Sequence, residues 1–188
     1  MILSPPATPT LAPAEIVERV KTLAGDAYLS GRVYRGDPVI EIRPASVSRL
    51  ARILQDDQAL RFELLVDVTA VHWPLDRERE FEVVYQFRSV RNNLYVRLKT
   101  RIAQGAHLNS IAAVYRAASW LEREVYDLMG IQFDGHPDLR RILLPDGYEG
   151  HPLRKDYPVD GPNFPADAHR NDWFGRLDPD DFWDERDD

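Results

Sequence analysis

The chain of 188 residues reads as an α+β domain, a mainly antiparallel sheet with helices packed on one face, followed by an extended Pro-rich C-terminal arm. Three observations carry that reading. Hydrophobic spacing runs in the order helix, two strands, helix, three strands, helix. Between Glu80 and Ile102 it alternates with the period of two that belongs to half-buried strands. Beyond Asp134 it vanishes, and seven of the 14 prolines fall in the last 55 residues.

Residues 1 to 13 hold four prolines and no periodicity, and are expected to form a disordered lead. The α+β domain is assigned to residues 14–133 and the partner-binding arm, ending in an acidic aromatic tail, to 134–188. AEIVERVKTLAG places Ile16, Val20 and Leu23 on one helical face and stops at Gly25. Residues 27–35 and 38–43 are strand-like runs around a Gly36-Asp37 turn. ASVSRLARILQDD returns to helical spacing through Val47, Leu50, Ile53 and Leu54, and FELLVDVTAVHW predicts a more buried strand. Phe81, Val83, Tyr85 and Phe87 then alternate with Glu82, Gln86 and Arg88. After the Arg91-Asn92 connection, Leu94, Val96, Leu98, Thr100 and Ile102 alternate with Tyr95, Arg97, Lys99 and Arg101, which predicts an antiparallel hairpin with one wet face.

Residues 110–129 form one helix or two consecutive ones, through Ile111, Val114, Ala118, Leu121, Val125 and Leu128. At 100° per residue Glu122 falls inside that apolar sector, and Trp120 and Asp127 opposite it. Either the helix breaks near Ser119 and Glu122 is solvated, or Glu122 is buried against a partner, because desolvating a lone carboxylate costs several kcal/mol.

The composition excludes several functions. No apolar run approaches the roughly 18 residues needed to cross a bilayer. MILSPPATPTLAP has neither the positive charge nor the apolar core of a leader peptide, so a cytoplasmic location is expected. Zero cysteines exclude disulfides, thiolate catalysis and iron–sulfur ligation by this chain. The net charge of -7 is concentrated in residues 172–188, where eight acids and two arginines surround Trp173, Phe174, Phe182 and Trp183. The rest is near neutrality, without the basic stripe that nucleic acid requires. His136, Asp138 and His151 are chemically suitable metal ligands, but their spacing matches no metal motif. Nor is there a nucleophile beside a base, a GxGxxG or a Walker pattern.

The stretch ASWLEREVYDLMGIQFDGHPDLRRILLPDGYEGHPLRKDYP, residues 118–158, is similar to the signature of the 30 kDa subunit family of respiratory complex I, also called the C-subunit family, with ERE, YDLxGIxFxGHPDLRRIL and GHPLRKDYP in the family's order. The resemblance implies a structural subunit without catalytic residues in the peripheral arm of a proton-translocating NADH:quinone oxidoreductase. It implies docking against the neighbouring D-subunit beside the quinone site, with FMN, iron–sulfur clusters and quinone in partner subunits and no cofactor or metal in this chain. It further implies the cytoplasmic side of a bacterial cell membrane, with membrane contact only through the complex. Plastid-type complexes and membrane-bound hydrogenases have related subunits and stand as alternatives; an autonomous metal-dependent hydrolase is the alternative of another class. On this reading residues 135–158 are an assembly surface. Its interface residues are Glu122, Arg123, Glu124, Asp127, His136, Pro137, Arg140, Arg141, His151, Pro152, Arg154, Lys155, Asp156 and Tyr157, with Trp173 and Phe174 as a final anchor. Glu122 is the expected partner of an arm arginine.

Overall fold

The structure, a computed structural model, describes residues 10–145 and 147–158. Most of the expected lead and the acidic tail, including Trp173 and Phe174, lie outside the described residues.

Helix α1 spans Pro13–Ala24. Proline opens it, where a missing N–H costs nothing, and the Glu15 carboxylate accepts the Ala12 N–H at 2.6 Å. Its buried stripe is Ile16, Val17, Val20 and Ala24. Strands β1 (Tyr28–Tyr34) and β2 (Asp37–Ile42) pair antiparallel with Tyr34 opposite Asp37. The turn residues are therefore Arg35 and Gly36, both at positive φ (52° and 92°), one residue earlier than the dipeptide suggested. A two-residue hairpin of this hand needs positive φ at both positions, and glycine adopts it without strain.

Helix α2 (Val47–Asp56) buries Val47, Leu50, Ala51 and Leu54. Strands β3 (Leu64–His72), β4 (Phe81–Ser89) and β5 (Leu94–Ile102) follow. The sheet order is β1-β2-β5-β4-β3, antiparallel except where β2 lies parallel to β5. That single parallel contact arises because α2, β3 and β4 intervene between the two strands. One face, carrying Ile40, Val68, Val83, Tyr85, Phe87, Val96 and Leu98, packs with the helices into one core. Tyr115 spans that core, its hydroxyl donating to the Phe62 carbonyl at 2.6 Å.

The other face is polar, but the expected wet face is not fully wet. Interior strand β4 buries Glu82 and Val84 as well. Burial works to raise the Glu82 pKa, yet Lys99 at 2.6 Å and Arg101 at 3.1 Å outweigh it and hold the carboxyl below its ordinary range.

Strand β6 (His107–Asn109) pairs in parallel with β7 (Gln132–Asp134), both too short for periodicity to betray. Between them α3 occupies only Ala118–Met129, and residues 112–117 are turns. The break near Ser119 is thus present, and Glu122 is nevertheless buried. Among the described residues no helix is long and apolar enough to cross a membrane.

Candidate functional site

Helix α3 ends at Gly130, whose φ of 78° reverses the chain and whose N–H donates to the Tyr126 carbonyl at 2.9 Å. After β7 the chain returns over α3 through Pro158, and its described residues form turns and bends without a helix or strand. Such a segment must satisfy its backbone groups elsewhere. It does so on its own chain.

Asp127 is the centre of that attachment. Its fully buried carboxylate accepts the backbone N–H groups of Ile142, Leu143 and Leu144 at 3.0, 2.8 and 2.9 Å on Oδ2, and the Arg141 guanidinium at 2.7 Å on Oδ1. Burial alone would raise its pKa; these donors, Leu144 and Ile142 foremost, hold it below the usual carboxylate range. Arg141 also donates to the carbonyls of Tyr148 and Gly150, so one side chain joins the helix to the next turn. From one helical turn earlier Arg123 donates to the carbonyls of Arg140 and Arg141, and its guanidinium lies 5.2 Å from the ring centroid of Trp120.

Three histidines pin the segment in defined tautomers. His151 Nδ1 lies 2.8 Å from the Asp127 carbonyl, which can only accept, so Nδ1 carries the proton. His136 accepts the Asp138 N–H on Nδ1 at 3.0 Å and donates from Nε2 to the Ser119 carbonyl at 3.0 Å. His72, at the end of β3, accepts the Lys155 N–H on Nδ1 at 2.8 Å and donates from Nε2 to Glu80 at 2.8 Å. Arg154 lies beside this group, paired with Asp156 at 2.8 Å and 3.7 Å from Glu80. The Tyr157 hydroxyl donates to that of Tyr148 at 2.8 Å.

Glu122 corrects an expectation. Its fully buried carboxylate accepts the Ser110 hydroxyl at 2.6 Å and the Ile111 N–H at 2.8 Å, with His136 Nε2 4.0 Å away, and among the described residues no arginine is its partner. The turn before α3 carries these donors to it, and the arm's arginine goes to Asp127. Burial pushes the Glu122 pKa up to about 7, against the lowering effect of its two hydrogen bonds.

The inward commitments of Arg141 and Arg154 leave other groups facing out. Glu124, Pro137, Arg140 and Lys155 are exposed. So are three large apolar side chains, Trp120 at 62%, Leu143 at 61% and Leu153 at 52%. Pro152 is half-buried.

Among the described residues one group has the composition of a metal site: His72, Glu80 and Asp156 offer ligand atoms within 4.8 Å of one another. They fit a cation poorly. Both His72 nitrogens are occupied by hydrogen bonds, and Arg154 already supplies positive charge between the carboxylates. Of the histidines considered as ligands from sequence, His136 uses both ring nitrogens on the backbone, and His151 uses Nδ1.

Sequence reasoning missed His72, Glu80, Ser110 and the two close-packed glycines. A Cβ on Gly130 would meet His151 Cδ2 at 2.6 Å, and one on Gly150 would meet Tyr157 Cε2 at 2.6 Å. Both have positive φ. Gly130→Ala should therefore cost about 1–3 kcal/mol from backbone conformation and displace His151. Urea unfolding combined with limited trypsin digestion tests this: faster cleavage at Arg140, Arg141 and Arg154 is expected, and wild-type stability and cleavage would refute it.

Comparison with known proteins places these features. A family model described as the respiratory-chain NADH dehydrogenase 30 Kd subunit matches residues 40–163. The chain is 47% identical over 133 residues to the C-subunit of the NADH-quinone oxidoreductase of Rhodobacter capsulatus, covering 71% of this chain and 66% of that protein. It is 43% identical over 155 residues to the protein of the same name from Nocardia farcinica, covering 78% and 61%. The chain thus spans a little under two thirds of the length of these relatives. Among solved structures it resembles a chain of the membrane-bound sulfane sulfur reductase, an archaeal respiratory membrane complex, with a TM-score of 0.67, 28% identity and coverage of 78% and 85%. It also shares its fold with the trypsin-resistant fragment (1-134) of Nqo5, with a TM-score of 0.55 at 24% identity and coverage of 67% and 98%.

Proposed function

The chain belongs to the 30 kDa subunit family of respiratory-chain NADH dehydrogenases, and on that footing we propose that it is a structural subunit of a proton-translocating NADH:quinone oxidoreductase. Its role is to dock on the D-subunit beside the quinone site and so support electron transfer from NADH to quinone. FMN, iron–sulfur clusters and quinone belong to partner subunits, and the chain itself contributes no catalytic group. It meets the cytoplasmic side of a bacterial membrane only through the complex.

The observation that carries this reading is the clasp at Asp127. It fixes a proline-rich segment on α3 before any partner arrives, which reduces the conformational entropy lost on docking. Its outward side exposes Trp120, Leu143 and Leu153, the large apolar groups that an interface core can bury, and Arg140 and Lys155 are exposed as well. Buried Asp127 and Arg123 and half-buried Arg141, His136 and His151 act as positioning groups for that surface.

The test is a Leu143→Glu, Trp120→Glu double variant in the intact organism. Both side chains are exposed, so the variant should keep its thermal unfolding midpoint while association weakens by about 2 kcal/mol or more, roughly 30-fold. The expected result is a deficit of the assembled complex on native gels with normal levels of the folded chain. Full assembly and undiminished NADH:quinone activity would contradict the proposal.

A further inference from the structure

We propose that residues 172–188 dock on the outer, polar face of the five-stranded sheet of their own chain. The face holds a groove in which Arg32, Arg79, Lys99 and Arg101 outnumber Glu41 and Glu82. Arg79 is paired with Glu41, while Lys99 and Arg101 share Glu82 and Arg101 also reaches Asp76 at 3.4 Å. Among the described residues Arg32 makes no ion pair and lies 5.5 Å from the ring centroid of Tyr34. Arg101 likewise lies 5.5 Å from the ring of Trp73, which is partly exposed. The groove therefore offers, among the described residues, one uncommitted cation, Arg32, and guanidinium planes beside aromatic rings.

Residues 172–188 are its chemical complement. DWFGRLDPDDFWDERDD combines a charge of -6 with two aromatic pairs, Trp173-Phe174 and Phe182-Trp183. Guanidinium groups receive both features, carboxylates in the plane and aromatic rings on the face. Net charge alone would suit many cationic surfaces; the interleaved aromatics fit one built from arginines and exposed rings.

The path of the chain brings the two together. Lys155 is bonded to His72 at the end of β3, and the Arg154 guanidinium lies 5.3 Å from the ring of Phe81 at the start of β4. Pro158 lines a recess with Gln104, just beyond the end of β5. The described chain thus stops at the sheet corner where Glu82 pairs with Arg101. From Pro158 to Asp172 the chain can extend at most about 50 Å. Five strands about 4.8 Å apart make a face roughly 24 Å wide, so every point of it is within reach. Tethering at this range gives an effective concentration in the millimolar range, enough to populate even a weak contact.

This assignment places Trp173 and Phe174 on the sheet instead of on a partner. The chain has no cysteine, so a spin-label pair can be introduced cleanly by Thr69→Cys, on the exposed outer face of β3, and Asp184→Cys in the full-length protein. Electron–electron distance measurement should give a defined population below about 30 Å, the scale of the face. That population should be lost near 0.5 M salt, where screening is short-ranged, and in the Arg32→Glu, Arg79→Glu background, whose folding circular dichroism verifies. A broad distribution indifferent to salt overturns the proposal. So does a short distance that survives charge reversal, or one that arises only when partner subunits are present. Assembly of the complex is read separately, so loss of docking here leaves the proposed structural role intact.

Discussion

Replacing Asp127 by alanine should release residues 141–157 from α3 and lower the stability of the chain by about 3–5 kcal/mol, the cost of removing one member of a desolvated pair. Four donors converge on this one buried carboxylate, three backbone N–H groups and the Arg141 guanidinium. Alanine would leave the amides without an acceptor and a half-buried cation without its anion. The milder Asp127→Asn retains one acceptor oxygen but no charge, and an intermediate loss is expected from it. The pH dependence has a definite sign. The folded-state pKa is depressed below the ordinary 3.8, so the stabilisation is present above that value and is lost as the pH falls through the folded pKa. Urea unfolding near neutral pH measures the loss, and limited trypsin digestion locates it at the arm arginines. A variant as stable and as resistant as the wild type would show that the clasp contributes nothing.

Glu122→Gln should act in the opposite direction at neutral to alkaline pH. Folding raises the Glu122 pKa from 4.5 to about 7, so the folded chain holds the proton more tightly than the unfolded one. Its contribution is fully present below about pH 4.5 and is lost as the pH rises through about 7, a change of roughly 3 kcal/mol. Glutamine imitates the protonated acid: its oxygen can accept the Ile111 N–H, and its amide can donate to the Ser110 hydroxyl. The variant should therefore be more stable than the wild type at pH 8 and close to it at pH 5. Unfolding free energies of both proteins at the two pH values isolate this group, since the other titrations are common to both. Parallel profiles, or a variant weaker at pH 8, would contradict the assignment.

These two carboxylates also show what the sequence could convey. The position of Glu122 in an apolar sector was visible because helical periodicity is a property of local spacing, and its burial follows. Its partners were not visible: a serine hydroxyl and a backbone N–H in a turn carry no sequence signature, and an arm arginine was the natural substitute. Asp127 falls opposite the apolar sector, and spacing carries no sign of its burial, because the layer that covers it is an irregular segment without periodicity. Strands β3, β4 and β5 were legible from alternation, whereas the parallel β2–β5 contact spans three residue pairs and depends on the long crossover between them. The GHPDLRRIL and GHPLRKDYP runs pointed to residues 135–158 as the part of the chain that matters. What they did not convey is that Arg141 and Arg154 turn inward, leaving Trp120, Leu143 and Leu153 to face outward.

Hydrogen–deuterium exchange, compared between the isolated chain and the assembled complex, tests most directly whether a pre-formed clasp presents the docking surface. In the isolated chain the amides of Ile142, Leu143, Leu144 and Lys155 should already exchange slowly, because their acceptors, Asp127 and His72, lie in the same chain. On assembly, additional protection should appear along residues 119–124 and 140–155. Free-peptide exchange across 141–157 in the isolated chain, or no change there on assembly, would contradict the account.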